Sequence, residues 1–231
     1  MPVDAIILAG GRGTRLASVV ADVPKPLAEV AGRPFLDLLM DFLMSSGRVG
    51  RVVVSAGYKA ELIQAWAAQA PWKKISVVVE QEPLGTGGGL LLALDHVASD
   101  TVLALNGDSL VRLDLAALLE AHRASGAAFT MAVTPVADVS GSGEVVLDGA
   151  RVTAFREKGG DPHAGWINAG IYVMQKAAMA AFPRRAASLE YDLVPELLKA
   201  GVNAYRASGA FVDIGTPATY AAAGTVLGIK G

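Results

Sequence analysis

An apolar run from Val3 to Leu8 empties into Ala9-Gly10-Gly11-Arg12-Gly13-Thr14-Arg15-Leu16, and Pro24-Lys25-Pro26 follows. Glycine lets backbone N–H groups approach a ligand with no side chain in the way, and a loop of exposed donors beside Arg and Lys suits a polyphosphate. The chemistry this stretch could serve is the holding of a nucleoside triphosphate. A turn with no ligand would use the same glycines. Two familiar nucleotide loops do not fit. Gly13 precedes Thr14-Arg15-Leu16, where a P-loop needs Lys-Ser/Thr and the dinucleotide fingerprint needs a last Gly or Ala.

Two acids stand where later apolar runs end. Asn106-Gly107-Asp108-Ser109 continues the run Thr101 to Leu105, and Asp213 lies within Phe211-Val212-Asp213-Ile214-Gly215-Thr216, where a charge is expensive without a partner. Asp at a strand end is also a common turn former. One divalent cation shared by Asp108 and Asp213 would explain both, and Mg²⁺ fits, because it takes one or two carboxylates and completes its octahedron with waters and substrate phosphates. Phe155-Arg156-Glu157-Lys158-Gly159 ends another run in charges, which alone read as a solvated rim. Ile167-Asn168-Ala169-Gly170-Ile171 carries an amide inside an apolar segment. A buried Asn needs partners, and a sugar hydroxyl or a backbone bridge would serve equally.

The elements that must position these residues follow from periodicity. Ala5 to Leu8, Arg51 to Ser55, Ile75 to Glu80 and Thr101 to Asn106 are short, nearly continuous apolar runs that predict buried strands. Phe35, Leu38, Leu39, Phe42 and Leu43 recur at helical spacing behind Pro34; Leu62, Ile63 and Trp66 mark a second helix and Leu90 to Val97 a third. This βαβαβαβ order predicts a Rossmann-like α/β/α sandwich with a predominantly parallel, mixed central sheet and ligands at the strand C-termini. After His122 the pattern becomes more antiparallel, with strands at Ala127 to Pro135, Glu144 to Leu147, Val152 to Arg156 and Trp166 to Met174. A helix from Tyr191 to Ala200, a strand at Asn203 to Arg206 and a closing helix from Pro217 complete it. No linker or repeat divides the chain, so residues 1–231 read as one domain with two halves, 1–122 carrying the glycine-rich loop and 123–231 the more antiparallel pattern.

Composition narrows the partners. The 231 residues are 52% hydrophobic, ample for a core, with no cysteine and therefore no disulfide, thiolate metal site or cysteine nucleophile. A net charge of -2 gives no general basic surface for nucleic acid. The apolar N-terminal run is interrupted by Gly10-Gly11 too early for a signal peptide or a membrane span, which predicts a cytoplasmic address. His96, His122 and His163 lack ligand-like spacing and read as surface or core residues.

Taken together the motifs resemble the sugar-phosphate nucleotidylyltransferases, along almost the whole chain and in the family's order. The segments are Leu8 to Leu16 with Pro24-Lys25-Pro26, Glu82-Pro83-Leu84-Gly85-Thr86-Gly87-Gly88, Asn106-Gly107-Asp108, Phe155-Arg156-Glu157-Lys158 and Phe211 to Thr216. Within the family the chain is most similar to the short D-glycero-D-manno-heptose 1-phosphate guanylyltransferases, through these motifs and Ile167 to Tyr172. It departs from longer relatives in having no room for a C-terminal β-helix.

The resemblance implies attack by a sugar-phosphate oxygen on the α-phosphorus of an NTP, with pyrophosphate leaving. It implies nucleotide contacts from Leu8, Ala9, Gly10, Gly11, Arg12, Gly13, Thr14, Arg15, Lys25, Glu80, Pro83, Gly85, Thr86 and Gly107. Catalytic positions would be Arg15, Lys25, Asp108, Lys158 and Asp213, with Asp108 and Asp213 on Mg²⁺. Sugar-phosphate contacts would come from Gly143, Glu157, Lys158, Asn168, Gly170, Glu190 and Asp192. Guanine presents two donors on one edge, which the carboxylate of Glu80 could accept together; this favours GTP. The rival substrates are mannose 1-phosphate with GTP, and N-acetylmuramate or glucose 1-phosphate with UTP or dTTP. A non-catalytic regulatory subunit is opposed by the intact charged residues, and a nicotinamide enzyme by the incomplete fingerprint. Exposed apolar strand edges in the second half make a homodimer an expectation.

Overall fold

A computed structural model describes residues 2–156 and 159–229. In chain order the first half contains β1 (Val3–Ala9), β2 (Glu29–Val30), β3 (Arg33–Pro34), α1 (Phe35–Ser45), β4 (Val49–Ala56), α2 (Ala60–Gln69), β5 (Ile75–Val79), α3 (Gly85–Leu94), β6 (Thr101–Asn106), β7 (Ser109–Val111) and α4 (Leu115–Ser125). The second half contains β8 (Phe129–Val136), β9 (Glu144–Asp148), β10 (Arg151–Arg156), β11 (Gly165–Gln175), α5 (Lys176–Met179), α6 (Val194–Ala200), β12 (Val202–Arg206), β13 (Phe211–Asp213) and α7 (Pro217–Val226). A π-helical turn, Leu189–Leu193, runs into α6, so the helix expected from Tyr191 begins two residues earlier.

One mixed sheet of order β5-β4-β1-β6-β11-β8-β12-β10-β9 runs through both halves of the chain. β5, β4, β1 and β6 are parallel; β11 then enters antiparallel to both β6 and β8. Period-2 alternation divides the apolar side chains between the faces. Ala5, Ile7, Leu103 and Leu105 join Phe35, Leu39, Ile63, Leu118 and Ala223 on one face, where α1, α2, α4 and α7 pack. Ile6, Val102 and Ala104 join Leu90, Leu94, Met179, Val194 and Leu197 of α3, α5 and α6 on the other. This is the three-layer α/β/α architecture the strand pattern predicts.

Local chemistry fixes the helix ends. Asp114 caps α4 by accepting from the N–H groups of Ala116 and Ala117 at 2.8 and 3.2 Å, and Gly126, at φ 63°, ends it. Thr216 and Thr219 form a reciprocal capping box at the start of α7, with Pro217 in the first turn.

Two expectations need correction. β9, at the end of the sheet order, also pairs with β11 through Glu144 and Ile167, so this end of the sheet curls back on itself and its edge is partly covered. The other is the Gly85-Thr86-Gly87-Gly88 stretch, which the apolar pattern leaves outside the helix expected from Leu90. It forms the first turn of α3, five residues before the start its apolar pattern suggested. Its glycines exist for packing: a Cβ on Gly88 would stand 2.8 Å from the Arg185 carbonyl oxygen, and one on Gly87 3.0 Å from the Leu189 nitrogen. The Ala187 carbonyl accepts from Gly87 N–H at 2.9 Å and Gly88 N–H at 3.2 Å, while Ala187 N–H donates to the Leu84 carbonyl at 2.8 Å. The segment around residues 185–189 thus closes the open N-terminus of α3.

That contact sets a stability prediction. Gly85 has φ 70°, and a Cβ there would lie 2.6 Å from the Ala187 carbonyl oxygen. Gly85→Ala is expected to lower stability by about 2 kcal/mol, from overpacking against backbone and a left-handed conformation. For a domain of this size that is a Tm decrease of roughly 4–8 °C, readable by calorimetry; an unchanged Tm would remove the packing argument.

Candidate active site

The parallel strands β1 and β6 end side by side, with Leu8 opposite Asn106, and their exits make the floor of a cleft of about 320 Å³. Gly107 makes this approach possible: its N–H donates to the Leu8 carbonyl at 2.8 Å, and a Cβ would stand 2.6 Å from that oxygen. Leu8, Ala9, Gly10, Gly11, Arg12, Gly13, Lys25, Glu80, Pro83, Gly85, Thr86 and Gly107 all line the cleft. Of the expected nucleotide contacts, Thr14 and Arg15 lie outside that lining. The amides of Gly11, Arg12 and Gly13 donate to no acceptor among the described residues. They remain available to an anion, as a phosphate cradle requires.

Asp108 and Asp213 are 105 positions apart in sequence and adjacent in space. β7 and β13 form a two-stranded antiparallel ladder that pairs Ser109 with Asp213, and Ile214 N–H donates to the Asp108 carbonyl at 2.9 Å. Lys25, on a single helical turn that packs Pro26 into the cleft wall, places Nζ 2.6 Å from Asp108 Oδ2. Asp213 Oδ1 accepts from Gly215 N–H. Burial, then the charge of Asp108, raises the Asp213 pKa above the ordinary carboxylate value, against the lowering effects of the Gly215 N–H, Lys25 and Arg15. Arg15 also reaches this pair: its Nη2 lies 3.5 Å from where a Cβ on Gly215 would stand. Two carboxylates thus have two cations near them.

A carboxylate pair of this kind fits a divalent cation. Asp108 Oδ1 and Asp213 Oδ2 have no hydrogen bond among the described residues, and hard oxygen donors completed by phosphates and water are what Mg²⁺ accepts. Among the described residues no group of three or more His, Asp or Glu could hold a metal unaided, so substrate oxygens would have to complete the shell. Beside Asp108, the buried Asn106 Oδ1 and Ser109 Oγ also lack partners among the described residues. Unsatisfied buried polar atoms of this sort concentrate at functional sites.

Several expected sugar contacts also have partners within the fold. Asn168 Oδ1 accepts from Gly170 N–H at 2.9 Å and its Nδ2 donates to the Tyr172 hydroxyl, which spans the irregularity where β11 slips register against β8. A backbone bridge and the Tyr172 hydroxyl thus supply partners for the amide. Gly170 has φ 73°, and a Cβ would overlap Ser109 Oγ and stand 3.0 Å from Asn106 Nδ2. Gly143 is packed by the Phe155 ring, which a Cβ would strike. Asp192 is exposed and caps its own turn, accepting from Ser188 N–H at 2.6 Å. Glu190 gathers three hydroxyls, from Thr86 at 3.0 Å, Ser188 at 3.2 Å and Tyr172 at 3.4 Å. It ties the start of α3 to β11. Burial and the Glu190 charge push the Tyr172 hydroxyl well above its ordinary pKa, so it stays protonated and can donate. Glu157 and Lys158 lie outside the described residues.

Glu80 lines the cleft but also braces it. Its Oε2 accepts from Leu84 N–H at 3.0 Å and its Oε1 from the Ser55 hydroxyl at 3.3 Å, and it presses so closely on Gly10 that a Cβ there would overlap Oε1. Each carboxylate oxygen keeps a second lone pair for a ligand. Sequence reasoning missed Pro26, Gly89 and Asn106 as cleft residues. The Pro24-Lys25-Pro26 and Asn106-Gly107-Asp108 motifs already contained two of them; nothing in the sequence marks Gly89, which faces Glu80 and Ser55 across the fold.

A larger cavity, about 580 Å³, opens at the opposite ends of β1 and β6. It contains His122, a buried histidine whose Nδ1 is 2.8 Å from Thr130 Oγ1 and whose Nε2 is 3.0 Å from the Gln175 amide nitrogen; burial, with Arg123, lowers its pKa. That is a satisfied core residue, as its spacing suggests. The smaller cleft is the one lined by free amides, Arg12, Lys25 and Asp108, with Asp213 beside Asp108 just outside that lining.

Free backbone amides at the exit of β1, with cations and a carboxylate pair close by, suit an enzyme that acts on the phosphates of a nucleotide. Residues 4–227 match the nucleotidyl transferase family, and the chain belongs to it. It is 37% identical to the D-glycero-alpha-D-manno-heptose 1-phosphate guanylyltransferase of Aneurinibacillus thermoaerophilus, over 94% of this chain and 95% of that protein. It is also 37% identical to the mannose-1-phosphate guanylyltransferase of Mycobacterium tuberculosis, of whose length the match spans 62%. The crystal structure of HddC from Yersinia pseudotuberculosis superposes with a TM-score of 0.85 at 34% identity, covering 95% of this chain and 96% of that one; HddC has also been crystallised with GMP-PN. No helix among the described residues is long and apolar enough to cross a membrane.

The raised pKa of Asp213 gives a pH-dependent prediction. A carboxyl whose folded pKa exceeds its unfolded value favours the fold below the unfolded pKa, and that advantage is lost as pH rises through the folded value. Above it, the folded state carries a cost. Asp213→Asn, whose amide oxygen can still accept from Gly215 N–H, is therefore expected to raise Tm at pH 7 in EDTA. The gain should shrink as pH falls toward the ordinary aspartate value near 4. An equal effect at both ends of the titration would show that charge is not the cause.

Proposed function

We propose that this chain transfers a guanylyl group from GTP to D-glycero-alpha-D-manno-heptose 1-phosphate, giving GDP-heptose and pyrophosphate for surface polysaccharide synthesis in the cytoplasm. The observation that carries the reaction type is the Asp108 and Asp213 pair, with Lys25 and Arg15 close by, beside a loop of free amides. Base and sugar rest on relatives: two heptose 1-phosphate guanylyltransferases, from A. thermoaerophilus and Campylobacter jejuni, match along 95% and 96% of their own lengths. The mannose 1-phosphate enzyme, at equal identity, supports mannose 1-phosphate as the second reading.

Both reactants are anions, so charge is the main obstacle to their meeting. The sugar-phosphate oxygen attacks the α-phosphorus of the triphosphate, the bond to the β-phosphate oxygen breaks, and pyrophosphate leaves. Such transfers depend on positioning and charge stabilisation more than on covalent help from the protein. Gly11, Arg12 and Gly13 present backbone donors to the phosphates, and Lys25 holds charge beside Asp108. Arg15 stabilises the charge growing on the α-phosphate and leaving group. Lys158 receives the sugar phosphate. Asp108 and Asp213 would hold Mg²⁺, which when bound neutralises phosphate charge. The attacking phosphate monoester is already ionised near pH 7, so no side chain need abstract a proton. The two halves of the chain act as nucleotide and sugar-phosphate halves of one domain, and a homodimer is part of the same reading.

Four NTPs tested against heptose, mannose, glucose and N-acetylmuramate 1-phosphates, with pyrophosphate as readout, decide the substrates. GTP with heptose 1-phosphate is expected to give the highest kcat/KM, and release should require Mg²⁺ and both substrates. Preference for UTP or dTTP would overturn the base assignment. Arg15→Ala and Asp108→Asn are each expected to cost at least ~10²-fold in kcat, the usual loss when a donor or charge partner of the transition state is removed. Near-wild-type turnover in either variant would refute its role.

A further inference from the structure

The loop of residues 14–22, which follows the glycines and carries Arg15, has little internal support. Leu16 is its buried anchor, and its backbone bonds are short-range, such as Leu16 N–H to the Gly13 carbonyl and Val20 N–H to the Leu16 carbonyl, both at 2.9 Å. What holds it from outside is the turn before α2. Tyr58 N–H donates to the Gly10 carbonyl at 3.2 Å, and a small crevice beside the loop is walled by Tyr58 together with Arg12, Leu16, Val20 and Ala21. Lys59 Nζ donates to the Ala21 carbonyl at 2.7 Å and lies 5.4 Å from the centroid of the Tyr58 ring.

The backbone of Lys59 is unusual. Its φ is 53°, one of two positive values among the described non-glycine residues, and it sits at the cap position of α2. The other, Ala31, lies in the turn between β2 and β3. A lysine in the left-handed region costs energy that asparagine or glycine would avoid, and such strain persists where surrounding contacts impose it. Here the left-handed turn aims the ammonium across at the loop instead of along the helix.

We propose that Lys59 is a positioning residue, a clasp that pins the far end of the loop through Ala21 while Tyr58 pins its near end through Gly10, so that Arg12 and Arg15 are pre-set for a nucleotide. This rests on the proposed nucleotidyl transfer, and it assigns Lys59 no contact with substrate. A loop held before binding costs less to order on binding. Losing the clasp therefore raises the KM for the nucleotide more than it lowers kcat, because bound triphosphate re-forms the loop.

The test compares Lys59→Met, which removes the donor, with Lys59→Arg, which keeps one; both retain the Cβ and hence the same backbone strain. Hydrogen exchange read by mass spectrometry should be at least about fivefold faster over residues 14–22 in Lys59→Met, unchanged over α1, and restored in Lys59→Arg. With GTP, KM should rise about fivefold or more in Lys59→Met with kcat within about twofold of wild type, and return in Lys59→Arg. Unchanged exchange over the loop overturns the clasp whatever activity does. Faster exchange with unaltered KM, or a fall in kcat alone, overturns its role in nucleotide binding. If the wild-type chain turns over none of the tested substrate pairs, the proposed transfer fails, and thermal stabilisation by nucleotide in the two variants replaces KM as the measure of binding.

Discussion

Two carboxylates held in one place repel each other and resist burial, and the architecture around this cleft is arranged to hold Asp108 and Asp213 together nonetheless. The backbone does the holding. The ladder between β7 and β13 and the bond from Ile214 N–H to the Asp108 carbonyl fix the pair without either side chain having to move. Lys25 neutralises one member directly, and Arg15 with the Gly215 N–H partly offsets the cost at the other. The remaining strain appears as the raised pKa of Asp213. Negative charge left uncompensated in this way favours the arrival of a cation.

The rest of the molecule supplies rigidity to that pair. β1 and β6 are buried neighbours at the sheet's centre, so the points where they release Gly10 and Gly107 cannot drift apart. On the opposite face, Glu190 draws hydroxyls from Thr86, Ser188 and Tyr172 into one carboxylate. Asn168 extends the chain of bonds into β11, which pairs directly with β6. A network whose members are all hydrogen-bonded stiffens a core, whereas one left partly unsatisfied would cost more than it gives. Its reach from α3 to β11 joins the part of the chain that lines the nucleotide cleft to the half expected to receive the sugar phosphate.

Much of this was legible in the residues. Thr101 to Asn106 is the strand its apolar run predicts, and the carboxylate at its exit reaches the second one across the fold as the expense of burying Asp213 suggests. Periodicity sees each element's own face, so strands and helices emerged within a few residues. It does not see partners supplied from afar. Asn168 read equally as a sugar ligand or a backbone bridge because the choice depends on Tyr172's hydroxyl and a register slip against β8. Asp192 looked like a sugar acceptor because its bond to Ser188 N–H depends on a π-helical turn that no spacing rule announces.

The two glycine-rich stretches make the difference between composition and function concrete. Gly10, Gly11 and Gly13 and the run Gly85 to Gly89 are equally rich in the residue that frees backbone amides, and both border the cleft. In the second, the N–H groups of Gly87 and Gly88 are already given to the Ala187 carbonyl, so its glycines serve close approach between two backbones. In the first, the amides of Gly11, Arg12 and Gly13 have no acceptor among the described residues, and cations stand beside them. Two of the donors at the α3 start are spent, whereas those of Gly11, Arg12 and Gly13 are not. The exit of β1 is therefore the end of the cleft better equipped for an anion, and Gly85 and Thr86 of α3 form part of its wall.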